Sequence, residues 1–164
     1  MVETVLLRAI HIISIIIWLG IIPADLLLRK IIREKKGTES EKTLLSFWLK
    51  LTNLGGMVGL TGVLVSGIFI SIIREDYGFF QFASGTNHWL YTKQFLIVFV
   101  IILTAVFVIP SGKKVRIEIE KSVASNSALT GETYKNISKL EKVFTTINIL
   151  IVINLLLALT RNLL

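Results

Sequence analysis

The chain predicts an all-α integral membrane four-helix bundle, running up-down-up-down, and three observations carry that prediction. Of its 164 residues, 53% are hydrophobic. The mean hydropathy of +0.74 is too high for an ordinary soluble domain. The apolar residues also gather into four stretches, about Val5–Leu28, Leu51–Ile73, Trp89–Ile109 and Val143–Leu164. Each is close to or above the roughly 20 residues needed to cross a hydrocarbon core of about 30 Å. Lipid offers no partner to a free backbone group, so each stretch is expected to be helical. The Ile and Val bias does not argue for strands, because the runs are long and do not alternate. A single domain spanning 1–164 accounts for the whole chain.

The first stretch is too long for a signal-peptide core, and Pro23-Ala24-Asp25-Leu26 stands where a small-residue cleavage site would lie. The loop expected at 29–50 holds Gly37-Thr38-Glu39-Ser40-Glu41, a turn followed by a helix start. In Thr43–Lys50, Leu44, Phe47, Trp48 and Leu51 recur at helical spacing, an interfacial lead-in to the second helix with Trp48 at headgroup level. The second helix carries Thr52, Gly55, Gly59, Gly62 and Ser66 at spacings of three and four. This small-residue face suits close helix packing, clearance for a flat cofactor, or both. The next loop is aromatic, with Tyr77, Phe79, Phe80 and Phe82, and reads as an interfacial belt or a lid over one end of the bundle. The loop expected at 110–142 is long and polar. In it Val115, Ile117 and Ile119 alternate with charges, and Tyr134–Lys142 reads as a helical extension of the fourth helix.

The formal net charge is +7. In a membrane protein that excess reports orientation rather than nucleic-acid binding. The first loop carries Arg29, Lys30, Arg33, Lys35, Lys36, Lys42 and Lys50; the third carries Lys113, Lys114, Arg116, Lys121, Lys135, Lys139 and Lys142. Both are therefore expected in the cytoplasm, beside anionic lipid, with both termini on the outer side of a prokaryotic-type plasma membrane (a cell inner membrane). With no cysteine, the chain holds no disulfide, iron–sulfur cluster, thiolate haem ligand or c-type haem attachment. No phosphate-binding glycine loop or protease-like constellation is present.

The polar residues within the apolar stretches are the functional clue. Arg8, His11, Trp18 and Asp25 share one stripe of the first helix. An ionisable residue in hydrocarbon is costly and calls for a partner, a wet cavity or a cofactor. His11 lies roughly 9 Å below the outer surface at about 1.5 Å per residue. In an up-down bundle, His88, Lys93 and Arg161 fall in the same outer half. Each has a plainer reading: Arg8, Lys93 and Arg161 can snorkel, His88 can be an interfacial histidine, and His11 can bond a neighbouring helix. Asp25 is expected to neutralise Arg29 at i+4, and Asn148 and Asn154 to tie helices together. A haem b also fits the set, with His11 as the axial iron ligand and Arg8, Lys93 and Arg161 neutralising propionates. Gly55, Gly59, Gly62 and Ser66 would then give clearance for packing or cofactor. The iron would be His11/His88, His11/Lys93 or five-coordinate. Copper or zinc is a weaker expectation, because His, Met and carboxylate ligands are few.

These residues also carry a family likeness. Arg8-Ala9-Ile10-His11-Ile12-Ile13, followed by Trp18-Leu19-Gly20, resembles the opening of the small membrane proteins of the HemJ-type protoporphyrinogen oxidase and CopD-like superfamily. Trp89-Leu90-Tyr91-Thr92-Lys93-Gln94-Phe95-Leu96 is similar to the start of the third helix in the HemJ type. Gly62 to Gly67 resembles its small-residue second helix, and Lys142-Val143-Phe144 with Asn148 stands where its last helix begins. The resemblance implies a four-helix haem b protein in which His11 and Lys93 serve haem binding and activity. The chain departs from the HemJ type over Ile21–Arg29, which has neither a Tyr nor a second His.

The expected function is redox or electron transfer, in the manner of a HemJ-like oxidoreductase coupled to quinone. Two other readings stand beside it. One is a non-enzymatic subunit or assembly partner of a larger membrane complex, or a homo-oligomer, docking through its glycine face and basic loops. The other is a small-solute or anion transporter using Arg8, Lys93 and Arg161.

Overall fold

The structure is a computed structural model that describes residues 2–74, 77–82 and 87–160. Helix α1 (Val2–Glu34) leads through a short turn to α2 (Glu39–Gly55). One π-helical turn (Gly56–Leu60) joins α2 to α3 (Thr61–Ile73) in a continuous rod. A second rod is built from α4 (His88–Leu103), a π turn (Thr104–Val108) and α5 (Ile109–Ala124). Helix α6 (Gly131–Leu159) completes the set. All four rods are long and apolar enough to cross a membrane, which makes the chain a multi-pass helical membrane protein with a lipid bilayer as its surroundings.

The helices run further than the apolar stretches. The segments expected as loops at 29–50 and 110–142 are mostly helical, and only 35–38 and 125–130 stand outside helices. Polarity marks where a helix leaves hydrocarbon, not where it stops. At about 1.5 Å per residue, the 33 residues of α1 extend about 50 Å, well past a hydrocarbon core. Val115 and Ile119 are buried whereas Ile117 is exposed, so the apparent alternation there is one buried stripe with a period of four. Tyr134–Lys142 is the helical extension its pattern suggests, and α6 starts where the Thr130 side chain accepts the Thr133 N–H at 3.2 Å.

That projecting end, called here the basic end, has its own core. Leu45, Trp48, Leu49, Val115, Ile119, Ile137 and Leu140 are buried together. Beside them sits an ionic knot. Asp25 and Arg29 are 1% and 4% exposed and form the i,i+4 ion pair their spacing suggests. Arg29 Nε donates to Asp25 Oδ1 at 2.8 Å, as does Trp48 Nε1 at 2.7 Å. Asn148 Nδ2 reaches Asp25 Oδ2 at 3.3 Å. The remaining Arg29 nitrogen donates to the Glu141 carbonyl and to Thr145 Oγ1. One carboxylate and one guanidinium thereby join α1, α2 and α6.

Further along, the small-residue face of α2–α3 lies against α1. A Cβ on Gly59 would sit 2.8 Å from Trp18 Cε3, and one on Gly62 would strike Ser14. Gly55 faces Ile21 in the same way. A second core of Trp18, Leu60, Val100, Ile147 and Ile151 fills the middle. The chain is thus two helical pairs, α1 along α2–α3 and α4–α5 along α6. Their backbones approach each other closely between α2 and α5, near the basic end.

Candidate functional site

At the opposite end, where α1 begins and α6 finishes, the two pairs leave a cavity of about 680 Å³. Its wall is mainly aliphatic and aromatic. The polar side chains on it are Arg8, His11, Ser71, Tyr77, Lys93, Gln94 and Asn154. All four rods contribute, so the convergence expected from an up-down arrangement is present for Arg8, His11 and Lys93.

His11 is held by a short hydrogen-bond chain. Its Nδ1 lies 2.8 Å from Ser66 Oγ, and the Ser66 hydroxyl donates to the carbonyl of Gly62. A serine has one proton to give. With that proton on Gly62, Ser66 Oγ accepts, and the imidazole carries its proton on Nδ1. In that tautomer Nε2 is the lone-pair nitrogen, on a side chain that lines the cavity and also has the Val63 carbonyl beside it. Gly67 lies beside the ring: a Cβ there would make an ordinary van der Waals contact with His11 Cε1, at 3.5 Å. One turn along α1, Ser14 donates to the Ile10 carbonyl at 2.8 Å and spends its hydroxyl locally.

Lys93 lies over the Trp89 ring, with its ammonium 5.6 Å from the centroid, within electrostatic reach of His11. The Lys93 carbonyl accepts from Asn154 Nδ2 at 3.1 Å, tying α4 to α6. Arg8 is exposed at the rim. A roof of loop residues adds Tyr77 and Phe79 to the wall. Gln94 fastens that roof from α4, donating to the Gly78 carbonyl at 3.0 Å and accepting the Phe80 N–H at 2.9 Å. Tyr77 meets Trp89 edge-on, with centroids 6.2 Å apart.

Other expected site residues fall elsewhere. His88 is exposed, with its ring 6.4 Å from that of Phe82, and it is not among the residues that line the cavity. A His11/His88 pair is therefore not assembled in this conformation. Arg161 lies outside the described residues. Gly55, Gly59, Gly62 and Ser66 are engaged with α1 rather than exposed to the cavity, so close helix packing is their realised use. The same packing occupies the face that a docking partner would need.

The structure adds Gln94 and Tyr77 to the residues expected at the site. Gln94 had a signal: an uncharged amide one residue after Lys93 in an otherwise apolar helix. Tyr77 had none beyond its place in an aromatic loop. Comparison with known protein families, with curated proteins and with solved structures finds no match.

Proposed function

We propose that the chain is an integral membrane haem b-binding protein of redox or electron-transfer type, akin to the HemJ/CopD-like proteins its first and third helices resemble. The observation that carries this reading is the His11–Ser66–Gly62 chain on the wall of a large apolar cavity. A metal-ligating histidine characteristically donates its other ring N–H to a fixed acceptor, which sets the tautomer and the ring plane. Ser66 supplies that acceptor from the adjacent helix.

The residues present suit the group. A cavity of about 680 Å³ lies within the roughly 300–1,000 Å³ range of small-molecule and cofactor sites. Its apolar wall suits a porphyrin face and keeps water away. His11 would supply an iron-ligating nitrogen, while Arg8 and Lys93 would balance the propionates. Lys93 would also be the candidate second ligand. When bound, the haem iron supplies one-electron redox chemistry. The protein's part is to present His11 Nε2 in a fixed plane, balance the carboxylates and exclude solvent. On this reading the basic end is cytoplasmic and the cavity lies in the outer half of the bilayer.

The test is an absorption spectrum of detergent-purified protein expressed with ample haem, oxidised and reduced. A Soret band in the wild type that is lost in His11→Ala is the expected result. Ser66→Ala is expected to bind haem about 10–100-fold more weakly, the usual cost of removing an outer-shell partner. A wild-type protein that purifies folded, is given haemin and shows no Soret band sinks the reading.

A further inference from the structure

The contact between α1 and α6 changes along its length. At the basic end the two helices are bonded through Asp25, Arg29 and Arg33, which reach Asn148, Thr145 and Glu141. In the middle Trp18 packs with Ile151. The α1 and α6 backbones are not in extensive contact, so these side chains are what joins the two helices.

The arrangement around α1 places an opening on that seam. Residues advance about 100° each around a helix. His11 and Trp18 form one margin of the cavity-facing stripe, set against α3 and its π turn by the Ser66 hydrogen bond and the Gly59 contact. Ile12 and Ile16 lie about 100–140° round from His11, on the side turned away from α3. Both line the cavity and yet are 56% and 61% exposed. On α6, Leu159 does the same at 68% exposed. A side chain that both lines a cavity and faces outward in a membrane-spanning helix marks a mouth that opens into lipid; Ile68 of α3 also lines the cavity but is less exposed than these three, at 46%. At the helix ends, among the described residues, Tyr77 and Phe79 lie across the cavity, in a loop that Gln94 pins through Gly78 and Phe80.

We propose that the cavity is loaded sideways from the surrounding lipid leaflet, through the seam between α1 and α6, by an amphipathic anion whose apolar body passes Ile12, Ile16 and Leu159 and whose acidic group comes to rest by Arg8 and Lys93. This rests on the haem reading for the ligand's identity but not for its route. A haem, with an apolar disc and two carboxylates, belongs to this class. So does a single-chain lipid carboxylate.

The experiment follows haemin transfer from preloaded vesicles into protein reconstituted in nanodiscs, by the growth of the Soret band. Ile16→Trp with Leu159→Trp narrows the seam at lipid-facing positions where an added ring is tolerated. It should slow loading by about tenfold or more while final occupancy is kept. Ile16→Ala with Leu159→Ala should speed it. Gln94→Leu, which unpins the roof, should change the rate by less than about twofold. Fast loading in Gln94→Leu, with seam variants that load like the wild type, overturns the proposal in favour of entry through the roof. If wild-type protein takes up no haemin, the haem reading fails. The same variants are then followed with dansyl-undecanoic acid, a fluorescent anionic amphipath, and the same order of rates is expected. Uptake of neither probe overturns the lateral route as well.

Discussion

The two ends of the bundle handle polar groups in opposite ways. At the basic end the Asp25 carboxylate takes donors from Arg29, Trp48 and Asn148, and Arg29 spends its remaining reach on α6. The charges neutralise each other beside an aliphatic core, and the pocket of about 420 Å³ at this end lies outside the knot, between Arg29, Arg33 and Thr145. At the other end His11, Arg8, Lys93, Gln94 and Asn154 stand around a volume instead of filling it. The difference teaches that a buried ionisable residue in a membrane helix has two uses, and that its partner tells them apart. Asp25 finds its counter-ion one turn along its own helix. His11 finds a neutral hydroxyl on another helix, at the wall of the cavity.

The largest way to break this contrast is at the knot. Asp25→Ala leaves the buried Arg29 guanidinium without its carboxylate, and removing one member of such a pair costs about 3–5 kcal/mol. Unfolding of the micelle-solubilised protein by heat or SDS should show that loss. His11→Ala should cost far less stability while removing whatever the cavity binds. An equal loss of stability in the two variants would erase the distinction between the ends.

A smaller effect is expected where the ends meet. Gly59→Ala drives a methyl into Trp18 and toward the Ser14 carbonyl, and overpacking of this kind costs about 1–3 kcal/mol. It should also part α1 from α3 and so loosen His11 from Ser66, lowering cavity affinity together with stability. A Gly59→Ala protein of unchanged stability would mean that α1 shifts freely over the glycine face.

The smallest effect sharpens the account of the basic end. Thr130 caps α6 through its side chain, and loss of such a cap costs about 1 kcal/mol. Thr130→Ala should lower thermal stability by that amount and leave binding in the distant cavity untouched. An altered binding curve would show that the two ends are coupled.

The four membrane helices were legible because hydrophobic length is a one-dimensional property. So was the Asp25–Arg29 pair, since an i,i+4 spacing is settled within one helix. The extent of the helices at the basic end was harder to read. Charged residues between Val115 and Ile119 resemble a polar loop until the buried partners Leu45 and Trp48 on α2 are in view. The glycine stripe was legible as a close-contact face, but whether a helix or a cofactor would meet it depended on where α1 lay. His88 could be read as a second iron ligand or as an interfacial histidine. The turn into α4 leaves it exposed beside Phe82, outside the cavity wall.

The sequence by itself determined the class of the molecule, its four spans, the separation of charge toward one end and the stripe on which His11 lies. Each of these follows from composition or from periodicity within a single helix. The tertiary structure alone decided that α1 fills the glycine face, that Ser66 bonds His11, that Gln94 fastens a roof and that hydrogen bonds join α1 to α6 at the basic end. Those features join residues far apart in the chain. They depend on how two helical pairs lean together, which no local pattern encodes.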